Sequence, residues 1–405
     1  MKRAGIDVHK KMLAVVIENG SGAFERQRFG TLPNELVRLE DWLREQQVTE
    51  GVMESTAEYW KPVWNHLEQQ FRLHLAQAQS NAAPPGRKHD FGDAERLVRR
   101  LAAGELRLSY VPDVEQRAWR TLVRARQQRV EQIVRLQHEV ECLLETVSVK
   151  ISSVISNLFG ASGRRILAAF AAGETDPERL AALGDQRLRA KPAELAEALR
   201  GCWREEHLLI LRLQLEQLEM QEKHAALMGA KLTELLAAHQ EAIRRLTSIP
   251  GVGPAAAERI VVTLGPAAQV FRSGEALASW LGVCPGRDQS AGTNRSSRSP
   301  KGNQQLRGLL WQVAWAGVHT KDSYFAGRFQ ALVPKHGAKK AISIIVHLVV
   351  RIIWKVLHEK ELYVEKGARA INEKALMRRA TRLSRELRRA GYQLAITQIL
   401  KPETE

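Results

Sequence analysis

The sequence contains few cysteines. Three occur in 405 residues, Cys142, Cys202 and Cys284, and they are widely separated and odd in number. This arrangement gives neither a disulfide framework nor the paired spacing of a zinc site. Because disulfides persist mainly in oxidising compartments, a chain without them is expected in the cytoplasm.

Long apolar runs are also missing. The longest, Ala341 to Val350, has about half the length of a bilayer span, and Arg351 and Lys355 follow it. Residues Met1 to Lys11 carry charges but no apolar segment of the kind that a secretory signal requires. These absences predict a protein that is neither secreted nor inserted in a membrane.

Acidic residues are in deficit. Asp and Glu number 45 against 61 Lys and Arg, which leaves a net charge of +16 and a pI near 10.0. Residues 295–405 hold 22 basic and 8 acidic side chains, whereas the first 294 residues hold 39 and 37. This balance argues against an enzyme built only for small neutral metabolites. It favours a polyanion such as nucleic acid as the binding partner, and the C-terminal third is expected to interact with it most strongly.

The rest of the composition is that of an ordinary globular protein. Apolar residues make up 44% and charged residues 26% of a length that suggests roughly two or three domains. In the first hundred residues, short apolar strands at 4–8, 13–17 and 24–29 alternate with turns, and strand–helix units follow. This order predicts a mixed α/β sheet with helices packed on it.

A helical region follows the predicted sheet. Apolar residues recur at three- and four-residue spacing from Trp119 to Val147 and from Leu208 to Leu235, with Arg and Glu between them. This spacing predicts two long helices in an antiparallel or an intermolecular coiled coil. Short helices and loops are predicted at 160–191. Helices are predicted again from Gln304 to the end, including a basic run at 378–389.

Four acidic residues form the strongest chemical pattern in the sequence: Asp7, Glu54, Asp90 and Asp93. Asp7 lies in an apolar strand, where a carboxylate is costly unless it is paired or bound to a metal. Glu54 ends a later strand. Asp90 and Asp93 share one face at the start of a helix, where capping is the alternative role. Together these acids form an RNase H-like arrangement of hard oxygen ligands that suits Mg²⁺.

Two further motifs lie in the C-terminal half. The segment Ile249–Pro254, with Gly251 and Gly253, reads as the hairpin of a helix-hairpin-helix whose backbone N–H groups could approach a phosphate. A plain helix connection is the alternative. A polar loop rich in Ser, Gly and basic residues spans 285–303. A serine of this loop could attack a phosphate, but the residues alone do not select among Ser290, Ser296, Ser297 and Ser299.

The candidate residues lie within longer sequence motifs. These motifs are Gly5–Lys10, Met53–Trp60, Lys88–Ala94, Ile249–Pro254, Leu281–Pro285, Gln289–Ser290 and Lys301–Arg307. Their order along nearly the whole chain resembles the DEDD transposases of bacterial insertion sequences, in the insertion-sequence one-ten family and its eleven-eleven branch. His89 and Ala291 depart from the pattern of that family, which usually has Thr and Gly at these positions.

The resemblance implies a RuvC-like N-terminal domain whose four acids bind Mg²⁺, and a catalytic Ser290 in the C-terminal domain. It also implies a recombinase guided by a structured non-coding RNA of its own element, which pairs with donor and target DNA. Ser290 would attack a backbone phosphate to give a 5′-phosphoserine link and a free 3′-hydroxyl before strand exchange. The acids and Ser290 would meet across protomers of a dimer or tetramer joined through the coiled coil.

Four regions are expected on this basis. They are a RuvC-like metal-binding domain at 1–110, a helical coiled-coil region for oligomerisation at 111–240, a mostly α transposase domain with the helix-hairpin-helix and serine loop at 241–345, and basic helices at 346–405. The residues expected to contact nucleic acid are Gly251, Gly253, Arg287, Arg295, Arg298, Lys301, Asn303, Arg307, Arg378, Arg379, Arg385, Arg388 and Arg389.

Two other functions are compatible with the residues. A metal-dependent nuclease, such as a Holliday-junction resolvase, would use the four acids and water and would leave no covalent link between protein and DNA. A non-enzymatic nucleic-acid scaffold would need the basic surface but neither the acids nor Mg²⁺.

Overall fold

The chain divides into two compact units, Met1–Asp113 and Val114–Glu405. The computed structural model describes residues 2–19, 23–55, 57–78, 89–185, 188–284, 288–290, 293–296, 299 and 302–392. Of these, 288–290, 293–296, 369–376, 378 and 379 are described by their backbone alone.

A mixed six-stranded sheet forms the centre of the first unit. Its strands are β1 (Lys2–Val8), β2 (Met12–Glu18), β3 (Phe24–Gly30), β4 (Val48–Glu54), β5 (Arg72–Ala76) and β6 (Leu108–Ser109). Their order is β3-β2-β1-β4-β5-β6; β1, β4 and β5 are parallel, and the other pairings are antiparallel. The predicted mixed α/β sheet is confirmed. The sequence does not predict β6, because two residues carry no alternating pattern.

Helices cover both faces of this sheet. They are α1 (Pro33–Glu45), α2 (Trp60–Leu67) and α3 (Asp90–Ala102). Ile6 and Met53 lie in one buried cluster with the apolar residues of α1 and α2. Val52 lies in a separate cluster with Leu97 of α3. Since neighbouring residues of a strand point to opposite faces, α3 covers the face to which Gly5 also belongs.

Gly5 allows α3 to lie unusually close to β1. A Cβ atom on Gly5 would be 2.2 Å from the carbonyl oxygen of Ala94 and 2.7 Å from Cγ2 of Val98. A backbone carbonyl cannot give way as the end of a flexible side chain can, so any side chain here would move the helix. Gly5 therefore fixes the position of the first turns of α3 over the sheet.

The second unit is almost entirely helical, as predicted. Its first half comprises α4 (Val114–Thr146), α5 (Ile151–Val154), α6 (Ala161–Ala171), α7 (Pro177–Ala181), α8 (Pro192–Ala198) and α9 (Glu205–Leu235). A 3₁₀ turn at Ala237–His239 follows. Its second half comprises α10 (Gln240–Thr247), α11 (Pro254–Leu264), α12 (Gly274–Trp280), β7 (Asp288–Ser290), β8 (Thr293–Ser296), α13 (Gln304–His319), α14 (Tyr324–His336), α15 (Ala338–His358) and α16 (Arg369–Arg389).

The two long helices α4 and α9 pack on each other within one chain. Val140 near the end of α4 shares a buried cluster with Leu211 near the start of α9. Trp119 near the start of α4 shares another with Leu232 near the end of α9. The pair is therefore antiparallel. The heptad spacing allows an antiparallel or an intermolecular coiled coil, and the residues of α4 and α9 that face each other form the antiparallel one.

Helix α15 is the central helix of the C-terminal core. Its buried residues are Ala341, Ile342, Ile345, Val346, Val349, Val350, Ile353, Val356 and Leu357. The helix is also long and apolar enough to cross a membrane, and 50% of its most apolar window is buried inside the unit. Packing against its neighbouring helices accounts for this composition, as in the core helix of a globular domain.

A two-stranded antiparallel ribbon lies where the sequence predicts only a loop, at 285–303. β7 pairs with β8, with a register shift beside Asp288. The prediction of a loop is wrong for these two short strands. Their residues are all polar, so the alternation of apolar and polar side chains that indicates a strand is missing.

A short connection joins α10 and α11 where the sequence predicts either the hairpin of a helix-hairpin-helix or a plain helix connection. Gly251 has a φ of +88°, and a Cβ there would lie 2.3 Å from the carbonyl oxygen of Val313 and 2.5 Å from the backbone nitrogen of Gly317. Gly253, the N-cap of α11, has a φ of −80° and open space at its Cβ position. Packing against α13 therefore explains the glycine at 251 but not the glycine at 253.

Replacing Gly251 by alanine is expected to lower the free energy of unfolding of the second unit by about 2–4 kcal/mol, because both the positive φ and the contact with α13 oppose a side chain. The matched variant Gly253→Ala is expected to cost less than about 1 kcal/mol, the cost of a poorer N-cap. Urea titration followed by circular dichroism measures both values. Equal losses in the two variants would contradict this account of the hairpin.

Candidate functional site

Asp7 and Glu54 lie side by side at the carboxyl ends of neighbouring parallel strands. The paired residues Ile6 of β1 and Met53 of β4 immediately precede them. Two residues before each acid, Gly5 and Val52 face α3, so strand alternation places both acids on the α3 side of the sheet. The sequence predicts the strand ends, and the structure supplies the register and the common face.

Helix α3 brings the other two acids to this edge. Asp90 is its first residue, with His89 as the N-cap, and Asp93 follows at a spacing of three. The close approach over Gly5 places this first turn above the end of β1. Side chains at this spacing lie on one face of a helix, and acids are favoured near the positive N-terminal end of the helix dipole.

Asp7, Asp90 and His9 form one group. His9 Nε2 lies 3.0 Å from Oδ2 of Asp7 and 3.6 Å from Oδ1 of Asp90. Nη2 of Arg28 lies 3.8 Å from the other oxygen of Asp90, and its guanidinium stands 5.3 Å over the ring of Phe91. Among the described residues, one potential ligand atom from each member of this group lies within 4.8 Å of the others.

Asp93 and Glu54 are not members of this group. Oδ1 of Asp93 is 2.6 Å from Nη2 of Arg96, and the residue is only 8% exposed. Glu54 ends β4 in register with Ala76 of β5. The structure thus gathers the four predicted acids at one edge of the sheet but brings only Asp7 and Asp90 to ligand distance of a common point.

Burial raises the pKa of the Asp7 carboxyl above its ordinary value. Interaction with His9 opposes this effect, while the negative charges of Asp93 and Asp90 raise the pKa further. The side chain is only 13% exposed. Ionised Asp7 is therefore costly in this protein unless a cation lies beside it, which is the situation expected of a carboxylate in a metal site.

His9 has no part in the predicted acidic site. It follows the end of β1, in the turn to β2, where its backbone N–H donates to the carbonyl oxygen of Met12 at 3.0 Å. Its position two residues after Asp7 is the signal that the sequence offers. A turn residue has no periodicity, so its side-chain direction could not be predicted from the strand.

In the second unit, Ser290 is the last residue of β7 and Arg295 lies in β8. Arg287, Arg298 and Lys301 lie outside the described residues. The ends of this segment are close together, because a Cβ on Gly302 would be 2.3 Å from the backbone of Leu281. The described ends of this segment, at α12 and α13, therefore lie next to each other.

The remaining predicted contact residues lie on helices. Asn303 is the N-cap of α13, where its Oδ1 accepts from the backbone N–H of Leu306 at 3.0 Å, and Arg307 follows in the first turn. Arg385, Arg388 and Arg389 are exposed on α16. Arg378 and Arg379 lie on the same helix, with their backbone described. The capping bond gives Asn303 a structural role independent of any nucleic acid.

Two transposase family profiles match the chain. DEDD_Tnp_IS110, a transposase family, matches residues 4–149, and the Transposase IS116/IS110/IS902 family matches residues 243–330. A family 20 transposase of Pseudomonas aeruginosa is 25% identical over 374 residues, or 90% of this chain and 98% of that protein. The transposase y4pF/y4sB of Sinorhizobium fredii is 30% identical over 132 residues, or 30% of this chain and 33% of that protein.

These matches define a DNA transposase, an enzyme that breaks and rejoins DNA strands. The chain belongs to the IS110 family of DEDD transposases. The first profile contains the acidic site, and the second contains the hairpin and the ribbon with Ser290.

The acidic cluster fits a divalent metal ion. Asp7 and Asp90 supply hard carboxylate oxygens from two separate elements, and His9 adds a nitrogen within the same 4.8 Å. Burial, with the negative charges of Asp93 and Asp90, raises the pKa of Asp7, so a cation beside this carboxylate would favour its ionised form. The cluster could therefore bind a metal, as the chemistry of a metal-dependent transposase requires.

Proposed function

We propose that this protein is an RNA-guided DNA transposase that joins DNA transiently to Ser290 and holds Mg²⁺ with Asp7, Glu54, Asp90 and Asp93. The observation that carries the proposal is the convergence of acids from two parallel strand ends and a helix N-terminus at one edge of a mixed sheet. This architecture supports a RuvC-like assignment for the first unit. A DNA-acting enzyme of this kind works in the cytoplasm, at the nucleoid.

Mg²⁺ bound at the acidic edge would neutralise negative charge on a DNA phosphate. Asp7 and Asp90 would hold it directly, which is supported by carboxylate oxygens that lie within 4.8 Å of each other. Asp93 would join them on release from Arg96, and Glu54 faces the same side of the sheet. Arg28 beside Asp90 is more than half exposed and can contact the phosphate that enters.

In the proposed chemistry, the Oγ of Ser290 attacks the phosphorus of a DNA phosphodiester and loses its proton. The bond from phosphorus to the 3′-oxygen breaks, and that oxygen takes up a proton to become a free 3′-hydroxyl. The product is a 5′-phosphoserine ester. A 3′-hydroxyl of the exchanged strand then attacks the phosphoserine, which restores the DNA backbone and returns Ser290 to its hydroxyl form.

In this proposal, a guide RNA from the same element recognises donor and target DNA. The basic C-terminal third of the chain binds both the RNA and the DNA. The surplus of 22 basic over 8 acidic residues in 295–405 supports this division. The exposed arginines of α16 can contact phosphates, so binding should weaken as salt rises. Gly253 at the start of α11 would add backbone contacts.

A homo-oligomer, dimer or tetramer, would bring the acids of one protomer to Ser290 of another. The outer surface of the α4–α9 pair supports this part of the proposal. Exposed apolar residues of α9 recur at near-heptad spacing, at Leu209, Leu213, Met220 and Leu227. Such a seam is typical of helices that pack against a further helix, and a second copy offers an identical one.

One experiment separates this proposal from its two rivals. The full chain is incubated with Mg²⁺, RNA transcribed from the flanks of its reading frame, and DNA that carries the ends of the element. A denaturing gel then shows whether labelled DNA is cleaved and whether it migrates with protein. Cleavage with a covalent adduct supports the proposal. Cleavage without an adduct indicates a metal nuclease, and binding without cleavage indicates a scaffold.

A further inference from the structure

We propose that His9 is a ligand of the divalent ion at the acidic edge, so that this site has a mixed nitrogen and oxygen donor set. The inference rests on the proposed function, because it concerns the metal that Asp7 and Asp90 would hold. It adds a residue that lies outside the four acids and gives the site a preference among divalent ions.

The geometry places one nitrogen between two carboxylates. His9 Nε2 is 3.0 Å from an oxygen of Asp7 and 3.6 Å from an oxygen of Asp90, which belong to a strand and a helix far apart in the sequence. A single imidazole nitrogen carries at most one proton, so it cannot make a full hydrogen bond to both carboxylates. Three atoms that converge in this way are better satisfied by a cation that all three can bind.

The setting of His9 leaves its ring available. Its side chain is 40% exposed, and its backbone is held in the β1–β2 turn by the bond to Met12. The ring therefore borders solvent from which an ion can enter, while its Cα stays fixed relative to β1. His89 provides a contrast: it directly precedes Asp90 in the sequence, but its ring lies beside that of Phe91, 6.2 Å between centroids, and it does not belong to the group of ligand atoms found among the described residues.

A mixed donor set has a chemical consequence. Mg²⁺ takes oxygen ligands almost exclusively, whereas an imidazole nitrogen favours the divalent ions of the Irving–Williams series, of which Mn²⁺ is the first and weakest member. With His9 as a ligand, Mn²⁺ should bind more tightly than Mg²⁺. Loss of the imidazole should weaken Mn²⁺ binding by about 10-fold or more and Mg²⁺ binding less.

The test uses Mn²⁺ as the probe on the full chain without DNA. Pulsed electron paramagnetic resonance detects ¹⁴N directly bound to Mn²⁺, which is a readout independent of catalysis. We expect a ¹⁴N signal in the wild type, its loss in His9→Gln, and its retention in the matched variant His89→Gln. Isothermal titration should show the selective loss of Mn²⁺ affinity in His9→Gln.

Asp7→Asn distinguishes failure of this inference from failure of the proposed site. Mn²⁺ that depends on Asp7 but shows no ¹⁴N signal, or a signal that persists in His9→Gln, would overturn the role of His9 and leave the acidic site in place. Mn²⁺ binding that is absent from the wild type, or unchanged in Asp7→Asn, would overturn both.

Discussion

Replacing Asp7 by asparagine is expected to reduce DNA strand cleavage by about three orders of magnitude, since a catalytic metal contributes several kcal/mol to the transition state. The variant keeps the size and shape of the side chain and removes the negative charge that would hold the ion. The cleavage rate of labelled donor DNA under single-turnover conditions measures the effect. Raising Mg²⁺ should restore little activity, because a ligand has been lost.

Asp41→Asn is the matched control. Asp41 is an exposed acid on α1, on the opposite side of the sheet from α3, and its replacement should leave cleavage within about 2-fold of the wild type. A similar loss in both variants, or full activity of Asp7→Asn, would contradict the acidic site.

The unfolding temperature of metal-free Asp7→Asn shows whether the variant is correctly folded. Because the pKa of Asp7 is raised in the folded state, its ionised form opposes folding. The stabilisation by protonated Asp7 is complete below the ordinary Asp pKa of about 3.9 and is lost as pH rises through the higher folded value. At neutral pH, metal-free Asp7→Asn should therefore unfold at a temperature at least as high as the wild type does.

Gly5→Ala should be the second most damaging change, although Gly5 carries no reactive group. Its new Cβ would overlap the carbonyl oxygen of Ala94, so α3 must move away from β1. That movement separates Asp90 from Asp7, and a misplacement of about 1 Å in a catalytic constellation can cost about 100-fold in rate. We expect a loss of cleavage of this size and weaker Mn²⁺ binding, measured by single-turnover assay and titration calorimetry.

Gly92→Ala controls for an added methyl group on the same helix. The nearest atom to a Cβ at Gly92 is the Cβ of His89 at 3.8 Å, which is ordinary contact, and alanine is the better helix former. This variant should retain cleavage and metal binding. Comparable losses in the two alanine variants would show that helix position is not what Gly5 controls.

The acidic site illustrates what the sequence can predict. An aspartate inside an apolar strand and two acids at the start of a helix are visible as local patterns. The register of β1 with β4 and the approach over Gly5 are not, because they depend on contacts between distant segments. The pairing of Asp93 with Arg96 has the spacing of a helical ion pair, but spacing does not show which acids meet a common ion.

The helical region could likewise be predicted only in part from the sequence. Heptad spacing predicts both long helices, but apolar seams do not specify a partner. The antiparallel pairing of α4 with α9 depends on the short helices between them, which bring Val140 to Leu211. In the serine loop, the polar strands β7 and β8 pair through their backbones and have no apolar pattern. A prediction based on periodicity alone cannot find them.

The role of Ser290 is tested most directly by locating the protein–DNA bond. The adduct formed with donor DNA in Mg²⁺ is digested with nuclease and protease, and mass spectrometry identifies the serine that carries the 5′-phosphonucleotide. We predict the modification on Ser290, its complete loss in Ser290→Ala, and its retention in Ser296→Ala, Ser297→Ala and Ser299→Ala. An adduct that persists in Ser290→Ala, or cleavage by the wild type with no serine modified, would contradict the proposed mechanism.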